Sequence, residues 1–232
     1  MSLIPDPVRQ GFERLLAPLV GLLVAGRVSP NVITTIGTGI TVASGVAFGF
    51  GWIRAGGALL LLSGVCDMLD GRVARTSGGT TKFGAFYDST LDRLGESALF
   101  GGIAVYFARG GVAPGLTIWA LGLAIGALSF GLMVSYARAR AEGLGLDCAV
   151  GIAQRAERIL ALGAPSLFFG AGPNGLLLVG IVGLLAVMAA ITVVQRIVHV
   201  HRATRPEPSR TTQARRLSEV AGITMKGTRS DR

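Results

Sequence analysis

Four aspartates lie within a short stretch of a chain that carries little other charge between its ends. Asp67 and Asp70 are three residues apart, and Asp88 and Asp92 are four apart. Residues at these spacings share one face of a helix, so two helices could direct all four carboxylates at one point. Carboxylate oxygens without clustered His or Cys are the ligands that Mg²⁺ and Mn²⁺ prefer, and they argue against zinc. The spacing therefore predicts a magnesium or manganese site.

Two other interpretations of the aspartates start from the cost of charge in a membrane. Unpaired carboxylates are expensive there, so ion pairs with neighbouring arginines would also account for them. The neighbouring arginines are Arg72, Arg75 and Arg93. Acidic residues within membrane segments also line ion pathways, which would make the chain a metal-ion transporter. Such a transporter has no need of the glycine, alanine and arginine that accompany the aspartates.

The order of residues around the aspartates is more specific than their spacing. The stretch matches D-x2-D-G-x2-A-R-x8-G-x3-D-x3-D without a departure. It resembles the signature of the CDP-alcohol phosphotransferase family, which implies transfer from CDP-diacylglycerol to an alcohol with release of CMP. The resemblance also implies that Asp67, Asp70 and Asp88 hold metal, expected as a pair of Mg²⁺ or Mn²⁺ ions. Asp92 would share a metal or act as general base toward the acceptor hydroxyl.

The same resemblance implies a group of residues that contact the CDP-lipid. Gly71 would allow the nucleotide close to the backbone, and Arg75 can donate charge-assisted hydrogen bonds to phosphate. The other candidates follow Pro30 or precede the second aspartate pair: Asn31, Val32, Ile33, Thr34 and Thr81.

Four arginines outside the signature are candidates for binding an acceptor phosphate: Arg138, Arg155, Arg158 and Arg196. Arginines at such positions also serve as membrane anchors. Their contexts, SYARARAEG, QRAER and VVQR, resemble the phosphatidylinositol phosphate synthases of actinobacteria, although Arg138 replaces an expected lysine and Ala156 an expected proline. This resemblance implies inositol 1-phosphate or another phosphorylated polyol as acceptor. Glycerol 3-phosphate satisfies the same charge argument, and an archaeal ether-lipid donor stays open.

The composition predicts an all-α integral membrane protein. Half of the residues are apolar, and a bilayer core needs roughly 20 mainly apolar residues per helix, so the chain could hold about six spans. The candidate spans are 32–51, 55–69, 83–107, 116–136, 159–169 with flanking residues, and 176–198. Because the second span has a short apolar part, its acidic end is expected to belong to the same helix.

The two ends of the chain differ from this central part. Residues 1–30 are expected to form an amphipathic helix, either in the membrane interface or docked on protein, since its apolar stripe fits both. Residues 31–200 would be the six-helix transmembrane domain. Residues 201–232 form a basic tail, which we expect near anionic lipid headgroups and not on nucleic acid.

The distribution of basic residues predicts the orientation in the cell membrane. With six spans, both termini share a side with the loops at 71–82 and 137–158. That side carries most of the basic residues of the connecting loops: Arg72, Arg75, Lys82, Arg138, Arg140, Arg155 and Arg158. The opposite loops carry Arg54 and Arg109. The positive-inside rule therefore puts both termini and the active site in the cytoplasm. The family resemblance further implies a homodimer.

Overall fold

A computed structural model describes residues 6–78, 81–152 and 155–205, and within these ranges every regular element is helical. This confirms the predicted all-α class. The α-helices are α1 (Asp6–Ala25), α2 (Pro30–Gly49), α3 (Ile53–Thr76), α4 (Lys82–Ala108), α5 (Thr117–Glu142), α6 (Arg155–Phe169) and α7 (Leu176–Ala203). Short 3-10 turns precede α5 and α7. The predicted basic tail comprises residues 201–232, and its part from residue 206 onward lies outside the described residues.

Helices α2 to α7 fall on the six predicted spans. Helix α2, and helices α5 and α7 with their preceding turns, are long and apolar enough to cross a membrane. Helix α6 has 15 residues, which is roughly 22 Å and shorter than a bilayer core. Helix α3 continues through Asp67 and Asp70, as the short apolar part of the second span predicted. The protein is thus a multi-pass membrane protein, and the count of six spans stays a prediction.

The bundle is organised around α2, which packs against both α3 and α4. Helix α5 packs against α4 and α7, while α6 packs against α3 and α7. The interior contains Phe48, Leu60, Ile103, Phe107 and Leu162, all with 1% exposure or less. Helices α2 and α4 approach so closely that a Cβ atom on Gly102 would overlap the backbone of Gly45. This contact fixes how α4 lies against α2, and so where the aspartates of α4 point.

Helix α1 presents one face to protein and another to its surroundings. Leu16 and Val20 are buried in an apolar cluster with residues of α2 and α3, whereas Leu15 and Leu22 are 70% and 72% exposed. Docking on protein therefore accounts for part of the apolar stripe. Insertion of the exposed leucines into a membrane interface stays a prediction.

Candidate functional site

The aspartates meet where the end of α3 faces the start of α4. Residues 77–81 connect these helices, and Gly78 has a φ of +66°, a conformation that glycine adopts without strain. Thr81 caps α4, because its hydroxyl oxygen accepts a hydrogen bond from Gly84 N at 2.9 Å. The sequence signals that end one helix and begin the next thus bring both aspartate pairs to one end of the bundle.

Three of the four aspartates form one cluster. A carboxylate oxygen from each of Asp67, Asp70 and Asp88 lies within 4.8 Å of the other two. Asp70 is buried, and the other two are half-buried. Negative charges this close repel each other unless a cation neutralises them. An all-oxygen set of this kind suits Mg²⁺ or Mn²⁺, so the residues present fit the metal that the sequence predicted.

Thr34 supports this cluster from α2. Its hydroxyl donates to Asp70 Oδ2 at 2.8 Å, and its side chain is buried. A hydrogen bond to a ligand carboxylate orients that ligand, as partners of metal ligands commonly do. The sequence predicted Thr34 as a nucleotide contact, and the structure adds its hydrogen bond to Asp70.

Asp92 lies outside the three-carboxylate cluster and is paired with arginines. Its Oδ1 contacts Arg155 Nη1, and its Oδ2 lies 3.6 Å from Arg93 Nη2. Arg155 Nε is in turn 3.8 Å from Asp67 Oδ1. One guanidinium therefore spans the space between the cluster and Asp92. The predicted general base and a predicted phosphate-binding arginine are direct neighbours.

A second carboxylate that pairs with arginines, Glu96, lies one turn further along α4. It was not predicted from the sequence. Glu96 Oε1 accepts a hydrogen bond from Arg158 Nη1 at 2.7 Å, and Glu96 Oε2 is 3.3 Å from Arg93 Nη1. The signal was present in the sequence, because Glu96 follows Asp92 by the same four residues that separate Asp92 from Asp88.

A cavity of about 50 Å³ connects these charged groups. Its polar lining consists of Thr41, Ser63, Asp92, Arg93, Glu96, Arg155 and Arg158, and its remaining lining is apolar. Arginines can hold a phosphate by charge-assisted hydrogen bonds, and the cavity places such donors beside Asp92. The cavity thus offers an anionic group several hydrogen-bond donors close to Asp92.

The other two predicted acceptor arginines are not among the residues that line this cavity. Arg138 forms a 2.7 Å ion pair with Glu142 at the end of α5, where both side chains are about half exposed. Arg196 is 9% exposed and donates from Nε to Val150 O at 2.9 Å and from Nη1 to Val134 O. In the described residues Arg196 therefore ties α7 to α5 and to the connection that follows it.

The predicted CDP-lipid contacts are divided between the site and the packing around it. The Arg75 guanidinium lies over Gly71, since a Cβ atom on this glycine would be 3.4 Å from Arg75 Nη1. At the start of α2, Asn31 is half-buried and Val32 is exposed. The Ile33 side chain is buried in the apolar cluster beneath α1. Its side chain thus contributes to packing, whatever its backbone contacts.

Comparison with known proteins gives a consistent result. The family model for CDP-alcohol phosphatidyltransferase matches residues 27–201. Phosphatidylinositol phosphate synthase of Cutibacterium acnes is 40% identical over 203 residues, which is 84% of this chain and 96% of the relative. Archaetidylinositol phosphate synthase of Methanothermobacter thermautotrophicus is 47% identical over 137 residues, which is 59% of this chain and 65% of the relative.

Solved structures agree with the fold. The crystal structure of Mycobacterium tuberculosis phosphatidylinositol phosphate synthase with CDP-DAG bound matches with a TM-score of 0.71 at 31% identity, covering 84% of this chain and 99% of the other. The same protein in complex with manganese and citrate matches with a TM-score of 0.69 at 30% identity, covering 82% of this chain and 92% of the other.

Proposed function

This chain belongs to the CDP-alcohol phosphatidyltransferase family, and we propose that it transfers the phosphatidyl group of CDP-diacylglycerol to inositol 1-phosphate. The products are phosphatidylinositol phosphate and CMP. The observation that carries the proposal is the position of Arg155, between the cluster carboxylate of Asp67 and the carboxylate of Asp92. A phosphate-binding group therefore adjoins both a divalent-metal site and a proton acceptor, which is the arrangement that phosphoryl transfer to a phosphorylated alcohol requires.

The reaction divides among the residues as follows. A divalent ion held by Asp67, Asp70 and Asp88 would neutralise the diphosphate and stabilise its developing charge. Arg155 and Arg158 bind the acceptor phosphate. Asp92 accepts the proton of the attacking hydroxyl. The hydroxyl oxygen bonds to the phosphorus that carries diacylglycerol, and the bond from this phosphorus to CMP breaks, with its electron pair leaving on CMP.

The nucleotide is held on the other side of the cluster. We assign its phosphates to Arg75, whose guanidinium lies over Gly71, and we assign further contacts to Thr81 and to the segment from Asn31 to Thr34. Arg138 is exposed at the end of α5 and could bind an acceptor phosphate in place of its ion pair with Glu142. Arg196 acts indirectly, by holding the end of α5 through its contacts with backbone carbonyls.

The acceptor proposal is supported by the relatives. Phosphatidylinositol phosphate synthases and archaetidylinositol phosphate synthases differ in the lipid part of the product and share the inositol phosphate part. This favours inositol 1-phosphate over glycerol 3-phosphate. The archaeal relative also makes transfer from an ether-lipid CDP donor the second candidate function, with the same acceptor.

The orientation and the division of the chain remain proposals. We place the termini and the site on the cytoplasmic side of the cell membrane, supported by the basic residues of the loops on that side. Residues 31–200 form the catalytic domain, residues 1–30 the juxtamembrane helix and residues 201–232 a basic tail. Assembly as a homodimer stays a prediction.

The test is CMP release by purified protein in mixed micelles with Mg²⁺. CDP-diacylglycerol is offered with inositol 1-phosphate, glycerol 3-phosphate, inositol or serine, and CDP-archaeol replaces it in a parallel series. Release with inositol 1-phosphate that is lost in Asp92→Asn supports the proposal. Release with glycerol 3-phosphate alone would refute the acceptor, and release with CDP-archaeol alone would refute the donor. Metal flux into sealed vesicles without CMP release would show that the protein is a metal-ion transporter and not this enzyme.

A further inference from the structure

Helices α4 and α6 carry two carboxylate–arginine pairs, one helical turn apart. Asp92 and Glu96 are four residues apart on α4, and Arg155 and Arg158 are three apart on α6. The first pair joins Asp92 to Arg155 and adjoins the three-carboxylate cluster. The second joins Glu96 to Arg158, with 2.7 Å between Oε1 and Nη1. Among the described residues, no aspartate of the three-carboxylate cluster pairs with Glu96 or Arg158, so the role of the second pair differs from that of the first.

The Glu96 carboxylate is enclosed by groups from three helices. Its side chain is 11% exposed, and Arg93 Nη1 lies 3.3 Å from Oε2 in addition to the Arg158 contact. Arg93 itself contacts Ser135 on α5 and lies 3.6 Å from Asp92. Glu96 thus stands between two guanidinium groups of like charge, which would otherwise repel each other.

Helix α5 closes the remaining side of this pair with Gly131. A Cβ atom on Gly131 would lie 2.7 Å from Glu96 Oε1 and 3.2 Å from Arg158 Nη1. Any side chain at position 131 would therefore displace the pair. By contrast, a Cβ atom on Gly126 of the same helix would meet nothing within 4 Å. The close fit at Gly131 is specific to the place where α5 covers Glu96 and Arg158.

We propose that Glu96 is a positioning residue that holds Arg158 in the orientation needed to bind the acceptor phosphate, with Gly131 leaving the space for this contact. This inference rests on the proposed function, because it assigns the cavity to the acceptor. Glu96 does not bind the anionic acceptor, which a carboxylate would repel. It acts through Arg158, whose remaining N–H groups stay available to phosphate.

Kinetics of Glu96→Gln separate positioning from the other roles of a buried carboxylate. Glutamine keeps one oxygen for Arg158 and removes the charge that restrains both arginines. We expect the KM for inositol 1-phosphate to rise by about tenfold, the effect of losing one charge-assisted hydrogen bond. The KM for CDP-diacylglycerol should change by less than about twofold, because no nucleotide contact is altered.

Opposite results would overturn the proposal in distinct ways. If Glu96 only balanced charge, its removal would leave the cavity more positive, and the acceptor KM would stay or fall. If Glu96 only stabilised the fold, kcat would fall with the amount of active protein while both KM values stayed the same.

Gly131→Ala, compared with Gly126→Ala, moves the pair without changing any charge. Both substitutions add one methyl group to α5, and the proposal requires a raised acceptor KM in Gly131→Ala alone. Equal acceptor KM values in the two variants would overturn it.

Direct binding distinguishes a failure of this inference from a failure of the proposed function. The melting temperature of the purified protein is measured with inositol 1-phosphate and with inorganic phosphate. A rise in the wild type that is reduced in Glu96→Gln supports positioning, even if no CMP were released. A rise that is equal in both proteins, or absent from the wild type, would show that Glu96 does not position a phosphate-binding arginine.

Discussion

Replacing Thr34 with valine tests whether α2 orients a ligand of the metal. The Thr34 hydroxyl lies 2.8 Å from Asp70 Oδ2 and 3.1 Å from Pro30 O, so one hydrogen is shared between two acceptors. Valine keeps the β-branched shape and loses the hydroxyl. A hydrogen bond to a charged group contributes about 1.5–3 kcal/mol, and sharing favours the lower end. About 1.5 kcal/mol corresponds to roughly a tenfold change in affinity.

We therefore expect the Mn²⁺ concentration for half-maximal CMP release to rise about tenfold in Thr34→Val, within the range for partners of metal ligands. Mn²⁺ binding is followed independently by the electron paramagnetic resonance signal of the free ion. Thr38→Val is the matched control, because the Thr38 hydroxyl donates to the backbone oxygen of Thr34 at 3.0 Å, within the same helix. This substitution removes a hydroxyl from the same helix, one turn after Thr34, and leaves the contact with Asp70 unchanged.

Two results would refute this reasoning. An unchanged Mn²⁺ requirement in Thr34→Val would mean that Asp70 does not depend on Thr34 for its orientation. An equal rise in both variants would mean that the loss of any hydroxyl loosens α2. Only a rise confined to Thr34→Val assigns the effect to the contact with Asp70.

Two further predictions concern packing and charge. Gly102→Ala should lower the melting temperature measured in detergent, because its Cβ would overlap the backbone of Gly45 and overpacking costs about 1–3 kcal/mol. Gly101→Ala is its control, since a Cβ there meets nothing within 4 Å, and equal melting temperatures would contradict the close contact. Chelation by EDTA should lower the melting temperature of the wild type, because the cluster carboxylates then lack a neutralising ion. Asp70→Asn should respond less, and an equal response would argue against a metal at this cluster.

Much of the candidate site could be predicted from short-range sequence. Asp67 and Asp70 lie on one helix, and Asp88 lies early on the next, so helical spacing and a short connection suffice to bring them together. The motif around them added the family and its chemistry. Glu96 could have been found by the same spacing, but a single acidic residue beyond the motif carries no signal of its partners.

Long-range partners could not be predicted in this way. Arg155 and Arg158 stand more than 60 residues after Asp92 and Glu96 in the chain, and only the packing of the bundle decides which carboxylate each arginine meets. Arg196 illustrates the same limit. The resemblance of its VVQR context implied phosphate binding, which stays a prediction, and only the tertiary structure shows that its side chain donates to the carbonyls of Val150 and Val134.

The sequence by itself thus determined the helical class, the divalent-metal chemistry and the family, since these depend on composition and on residues close together in the chain. The tertiary structure alone decided that Asp92 faces Arg155, that Glu96 holds Arg158 and that Thr34 bonds Asp70. These are contacts between different helices, two of them between α4 and α6 and the third between α2 and α3. Helical periodicity places a side chain on a face, and only packing determines what that face meets.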